Sequence, residues 1–197
     1  MTSPYAGLQP AEWAAKTDEL IAGYPLDMEE LVEVVKLSWE GVFASKIGTK
    51  RFQIGKHIFP KPQIVAFFLH ELIPLELTSR YPGVWRGEET AADKDVVYIP
   101  DHGYSMEIKT SSHTSQIFGN RSYAQESGKD KKSKSGYYLA VNFDKSLKGS
   151  PAPKLRKVRF GWLDHGDWQG QTAVTGQQAR LSSEVERGKL KLLFEDR

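Results

Sequence analysis

The sequence predicts an α/β protein in which helices come first and a mixed β-sheet follows. Three observations carry that prediction. A run of apolar residues at helical period follows Asp27, and a second, almost wholly apolar segment is entered at Pro62. Beyond residue 94 comes a succession of short β-branched or alternating runs divided by proline, aspartate and glycine.

The first helix is written in Met28, Leu31, Val32, Val35, Trp39, Val42 and Phe43, which fall on one face of a 3.6-residue period, while Asp27 and Glu30 form a capping-box pair behind Pro25. A turn-rich stretch, KIGTKRFQIGKHIFPKP, separates it from QIVAFFLHELI, a second helix that starts at Pro62 and that Pro74 is expected to stop. This helix is apolar nearly all round and belongs in the core or in a subunit interface. His70 and Glu71 on it therefore need partners, and His70 reads as a satisfied core histidine. After the turns of SRYPGVWRGEET, DVVYI (95–99) and YSMEIKT (104–110) form a β-hairpin across Pro100, Asp101 and Gly103. Further strands are GYYLAVNF (136–143), VRFGWLD (158–164) and KLKLLF (189–194), with room for a later helix or two. The N-terminal helices thus occupy residues 10–78 and the hairpin residues 93–110 of a single domain, 1–197.

Composition narrows the function classes. With 39% hydrophobic, 11% aromatic and 26% charged residues the chain builds a packed globule. The absence of cysteine excludes disulfides, thiolate zinc sites and cysteine nucleophiles, so any metal sits on oxygen or imidazole. No stretch reaches the roughly 18 apolar residues of a membrane helix, and MTSPYAGLQPAEW has no charged n-region followed by an apolar run. A soluble, cytoplasmic protein with no membrane partner is expected. Residues 1–99 hold 10 basic against 14 acidic side chains and residues 100–197 hold 17 against 11, which assigns an anion-facing surface to the later segments.

The chemistry concentrates in AADKDVVYIPDHGYSMEIKTSS (91–112). Residues two apart on a strand share a face about 6.6 Å apart, so Glu107 and Lys109 project together while Met106 and Ile108 face the other way. Asp95 begins the partner strand, and a hairpin brings it beside the other two. Two carboxylates and a main-chain carbonyl, that of Ile108, suit a hard, water-retaining cation, which points to Mg2+. Such an ion acidifies a water and shields charge growing on a phosphate, and Lys109 stands where it can orient or deprotonate the nucleophile or stabilise negative charge. The bland alternative is a surface cross-strand salt bridge.

Asp95 followed by Glu107-x-Lys109 resembles the D...(D/E)xK signature of the PD-(D/E)xK nuclease superfamily, although Ala92 rather than proline comes ahead of the acidic pair and Asp93 competes with Asp95 for the first acidic role. The resemblance implies a restriction-endonuclease-like fold, a central mixed β-sheet flanked by helices. Because many members place a glutamate on the preceding helix, it also implies a catalytic part for Glu71 or, second, Glu76. FPKPQIVAFFLHELIP, DKDVVYIPD, YSMEIKTSS, QIFGNRSYAQ and FGWLDHGDWQGQ together resemble the ScaI-type restriction endonuclease family over most of the chain. That narrower resemblance implies a homodimeric Type II enzyme that cleaves a short symmetric sequence in double-stranded DNA with magnesium.

Two segments are expected to meet the DNA. In residues 111–135, Ser111, Ser112, Gln116, Asn120, Arg121 and Gln125 offer hydroxyl, amide and guanidinium groups to base edges or phosphates. Lys129, Lys131, Lys132 and Lys134 add nonspecific phosphate attraction, or belong to a solvated loop. In residues 165–183, Gln169, Gln171, Gln177, Gln178 and Arg180 lie among glycines in what reads as an irregular loop. The basic run Lys154, Arg156, Lys157, Arg159 either borders the DNA path or is a charged strand face.

Overall fold

The computed structural model describes residues 2–125, 132–150, 152–173 and 175–196. A short 3-10 turn leads into α1 (Trp13–Ala22), followed by α2 (Met28–Ala44), the two-stranded ribbon β1 (Lys46–Ile47) and β2 (Phe52–Gln53), and α3 (Pro62–Arg80). Then come β3 (Trp85–Gly87), β4 (Val96–Tyr98), β5 (Met106–Ser111), β6 (Phe118–Asn120), β7 (Gly136–Phe143), β8 (Leu155–Leu163), β9 (Trp168–Gly170), β10 (Gln178–Leu181), α4 (Ser183–Lys189) and β11 (Lys191–Glu195).

The main sheet has six strands in the order β11-β8-β7-β5-β4-β3, with β5 and β7 parallel and the other neighbours antiparallel. It is therefore mixed, as expected, and β4 with β5 forms the anticipated hairpin through the pair Val96 and Met106. β7 lies at its centre, and every one of its residues is buried because both faces are covered. On one face Met106, Ile108, Leu139, Val141, Val158 and Phe160 meet the apolar stripes of α2 and α3. On the other, Tyr138 and Ala140 meet Trp168, Ala179 and Leu181 of a second, three-stranded sheet β6-β10-β9, Ile117 and Tyr123 from the segments on either side of β6, and Val185 of α4.

Local chemistry explains most boundaries. Asp27 caps α2, its Oδ1 accepting from the amides of Glu29 and Glu30 at 2.8 and 3.1 Å. Glu30 does not complete the box; it accepts instead from Arg80 and Tyr81, clamping the end of α3. Leu69, Ile73 and Leu77, spaced four apart and fully buried, fix α3 against the core and contribute about 2 kcal/mol each.

Two expectations change. Pro74 does not stop α3, which runs on to Arg80. Proline removes one donor to the carbonyl a turn earlier, but the buried ring packs 3.5 Å from where a Cβ on Gly87 would stand, and Thr78 Oγ1 donates to the Pro74 carbonyl at 2.8 Å. The tertiary contact outweighs the local defect. The glutamine-rich segment is likewise not an irregular loop: β9 and β10 pair antiparallel, with Ala179 and Leu181 buried between exposed Gln178 and Arg180. That alternation is only four residues long, too short to separate from loop polarity until β6 is placed beside it. Gly161 marks a further close approach, since a Cβ there would lie 2.0 Å from the Lys189 carbonyl oxygen, so β8 accepts no side chain where the α4–β11 turn crosses it.

Candidate active site

The strand β5 presents its two faces as the alternation requires. Met106 and Ile108 enter the core, and Glu107 and Lys109 point to the opposite side, where Lys109 Nζ donates to Glu107 Oε1 at 2.8 Å and to the Ile108 carbonyl at 3.2 Å. Asp95, one residue before β4, turns its carboxylate to the same place: Oδ2 accepts from the Ile108 amide at 2.7 Å. The hairpin thus brings Asp95, Glu107, Ile108 and Lys109 together. Asp93 stands apart, buried and bonded to Arg86 and to the amides of Glu89 and Thr90; the Arg86 guanidinium, chiefly, holds its carboxyl well below the usual range against the opposing effect of burial.

Three further side chains enter the cluster. Lys132 Nζ lies 2.8 Å from Asp95 Oδ1 and 3.2 Å from Glu107 Oε2, bridging the carboxylates, with Glu88 Oε2 3.3 Å away at the rim. It was expected on an outward phosphate-attracting run; Lys129 and Lys131 of that run lie outside the described residues. Tyr123, from the 3-10 turn Arg121–Ala124, donates its hydroxyl to Glu107 Oε1. His70 Nδ1 is 3.5 Å from Asp95 Oδ2, and burial, ahead of the attraction of Asp95, pushes its imidazole below its ordinary value, toward the neutral ring.

His70 therefore takes the position that the resemblance assigned to its neighbour. Glu71 is exposed, one residue further round α3, and no hydrogen bond or ion pair joins it to the cluster; Glu76 pairs with Arg80. A rotation of about 100° per residue separates the two faces. His70 was legible as a polar residue on an apolar helix, but Tyr123 and Lys132 carried no local signal, because one depends on how the second sheet folds back and the other on the pairing of β7 with β5.

Electrostatics sort the groups. Burial pushes the Glu107 carboxyl up, but Lys109, Lys132 and the hydroxyl of Tyr123 together overcome it and hold the group at about 2. The Lys94 ammonium, buried beside the same cluster, is brought down to about 8 chiefly by desolvation, against the pull of Glu107. Glu107 is 2% exposed, and its Oε2 has no hydrogen bond of proper geometry, the 3.2 Å approach of Lys132 aside. Two carboxylate oxygens that share one ammonium as their counter-charge fit a small dication held by Asp95, Glu107 and the Ile108 carbonyl in its place. Among the described residues no group of three or more His, Asp or Glu stands in metal-holding array, so such an ion would complete its shell with water.

The segments expected to meet DNA divide. Gln116, Gln169, Gln171 and Arg180, joined by Phe118 and Gln178, line a groove of about 790 Å³ on the outer face of the small sheet. Asn120, Gln125 and Gln177 are exposed nearby. Arg121 is turned inward, its Nη1 donating to the Ala173 and Gly176 carbonyls at 3.3 and 3.5 Å, which makes it a brace for the β9–β10 turn. Ser111 is buried and accepts from the His113 amide at 3.0 Å, while half-buried Ser112 lines a cleft of about 400 Å³ beside the start of α3. The basic run of β8 is consumed internally: Lys154 and Arg156 pair with Asp196, Lys157 with Glu195, and Arg159 with Glu186, the behaviour of a charged strand face.

No solved structure matches this chain. A relative at 48% identity over 190 residues is the Type II restriction enzyme ScaI of Streptomyces caespitosus, the alignment covering 95% of this chain and 83% of that protein. The family model for the ScaI restriction endonuclease matches residues 3–194, nearly the whole chain, and the protein belongs to the ScaI restriction endonuclease family.

Proposed function

We propose that this protein is a magnesium-dependent Type II restriction endonuclease of the PD-(D/E)xK kind. In this reading it hydrolyses phosphodiester bonds in double-stranded DNA at a short palindromic sequence and works as a homodimer. The observation that carries the reading is the convergence of the Asp95 and Glu107 carboxylates beside Lys109, with Asp95 Oδ1 and Glu107 Oε2 turned to one shared cation, the Lys132 ammonium.

Asp95, Glu107 and the Ile108 carbonyl would hold Mg2+, which supplies positive charge against the scissile phosphate and acidifies a water there. The chain's own groups do the rest. The Ile108 amide and Lys109 fix the two carboxylates through Asp95 Oδ2 and Glu107 Oε1, so their remaining oxygens, Asp95 Oδ1 and Glu107 Oε2, converge on one point. Lys109, at the mouth of that point, stabilises charge growing on the phosphate and orients the attacking water. The neutral His70 ring offers Asp95 a neighbour that does not compete with a cation for charge.

DNA recognition is assigned to the small sheet, whose groove presents amides and the Arg180 guanidinium, groups suited to bidentate contacts with base edges. The dimer is supported by α3, where exposed Ile64, Phe67 and Leu75 fall on one stripe with Glu71, an apolar face that a second copy would cover. A two-fold dimer matches a two-fold target with one cut per strand. No helix among the described residues is long and apolar enough to cross a membrane.

Digesting a long DNA of known sequence, started with magnesium, tests the reading. Discrete fragments whose ends share one short symmetric sequence are expected. Random ends, or cleavage confined to branched or damaged DNA, would replace the restriction reading with that of a nonspecific or structure-specific nuclease.

A further inference from the structure

The main sheet carries the carboxylates and the small sheet carries the groove, and one side chain joins the two at the reacting centre. Tyr123 sits on the turn that follows β6, and the start of that turn is tied to the small sheet: the Arg121 amide donates to the Gln177 carbonyl at 2.7 Å. Its ring lies 5.4 Å from that of Trp168 on β9. It also presses on β6, where a Cβ at Gly119 would stand 3.1 Å from it. The ammonium groups of Lys109 and Lys134 lie 4.4 and 4.3 Å from its centroid. The ring is thus packed against the small sheet, with Lys109 of the main sheet over its face. The hydroxyl, in contrast, ends on Glu107 Oε1 of the main sheet in a buried bond.

On the reading above, we propose that Tyr123 is a positioning residue that couples the recognition sheet to the catalytic carboxylate. Contact of β6, β9 and β10 with the correct base sequence then sets the orientation of Glu107. A phenol has a single proton to donate, so its bond joins that of Lys109 on Oε1 and leaves Oε2 on the side of Lys132, the ammonium that Asp95 Oδ1 shares. When wrong bases shift the small sheet, the ring moves, the bond to Oε1 is lost, and Glu107 is left to Lys109 and Lys132 alone, with one constraint fewer on its rotation. Discrimination would in this way enter the chemical step as well as binding.

Tyr123→Phe in the full-length protein removes the hydroxyl and keeps the ring. Two duplexes serve as probes, one holding the sequence mapped with the parent enzyme and one altered at a single base pair. Binding to each in calcium should stay within about threefold of the parent. Single-turnover cleavage of the correct duplex in magnesium should fall by about thirtyfold, the loss expected for one hydrogen bond to a charged group, and that of the altered duplex by much less. Gly119→Ala, which retains the hydroxyl but pushes the ring that carries it, should reproduce the unequal loss and guards against a Tyr123→Phe protein that fails to fold. Equal losses on the two duplexes, or no loss, would overturn the coupling. Unaltered cleavage by Glu107→Gln would instead remove the active-site assignment itself, whatever Tyr123 does.

Discussion

Lys132 places its ammonium 2.8 Å from Asp95 Oδ1, on the line toward Glu107 Oε2. Its single positive charge is shared by two converging carboxylates, with Lys109 supplying the second, and Lys132 holds its proton more tightly than an ordinary lysine because Glu107 and Asp95 outweigh the cost of burying it. A divalent ion at that point would compete with it. Lys132→Gln is expected to raise calcium affinity roughly tenfold in the absence of DNA, and to lower the melting temperature in chelator, where the carboxylates then repel without relief. Isothermal titration and thermal melts read the two effects, and unaltered calcium affinity would place the ion elsewhere.

Asp95→Ala and Glu107→Ala should abolish cleavage while leaving specific DNA binding intact or stronger, since each removes metal affinity and also one negative charge facing the phosphates. Lys109→Ala should lose cleavage but keep metal binding, because its ammonium touches Glu107 Oε1 and the Ile108 carbonyl without holding the ion. Cleavage by Glu107→Ala at the parent rate would refute the site.

Arg121→Ala deletes two donors to the β9–β10 turn and is expected to cost about 1 kcal/mol in stability. Because that turn borders the groove, discrimination between related sequences should weaken while the rate at saturating DNA is preserved. Gel-shift competition with single-base variants measures it, and an unaltered ranking would move recognition to another segment.

Phe67→Glu places a charge on the exposed apolar stripe of α3, where Phe67 is 57% exposed. The fold loses only the edge contact of Phe67 with Phe68, but a dimer built on this face should dissociate, shifting the sedimentation of the free protein to that of a monomer and reducing double-strand cleavage. A parent-like dimer would assign the interface to another surface.

Asp93 makes an acid-sensitive brace outside the cluster. Its folded-state pKa is depressed, so its stabilisation is fully present above the unfolded value of about 3.9 and is lost as pH falls through the folded value. Asp93→Asn should cost about 2 kcal/mol at neutral pH, by leaving Arg86 without its buried partner, and should flatten the acid limb of the stability curve. Urea melts across pH 3–7 check both.

The sequence alone determined the helix from Asp27, the hairpin and the pairing of Glu107 with Lys109. Those features follow from local rules: a capping aspartate, a period of 3.6 or 2, and a turn closed by Pro100, Asp101 and Gly103. The tertiary structure decided the rest. Pro74 stays helical because buried packing against β3 outweighs a lost donor. His70 rather than Glu71 faces Asp95, since the rotation of α3 is fixed by Leu69, Ile73 and Leu77 in the core. The alternation of Ala179 and Leu181 becomes a strand only beside β6 and β9. Tyr123 and Lys132 reach Glu107 across 16 and 25 residues of chain, where no local period relates them. Tyr123 arrives because the second sheet folds over the first, a contact that burial of the Tyr138, Trp168 and Leu181 cluster drives, and Lys132 because it precedes β7, which pairs beside β5; short-range pattern encodes neither.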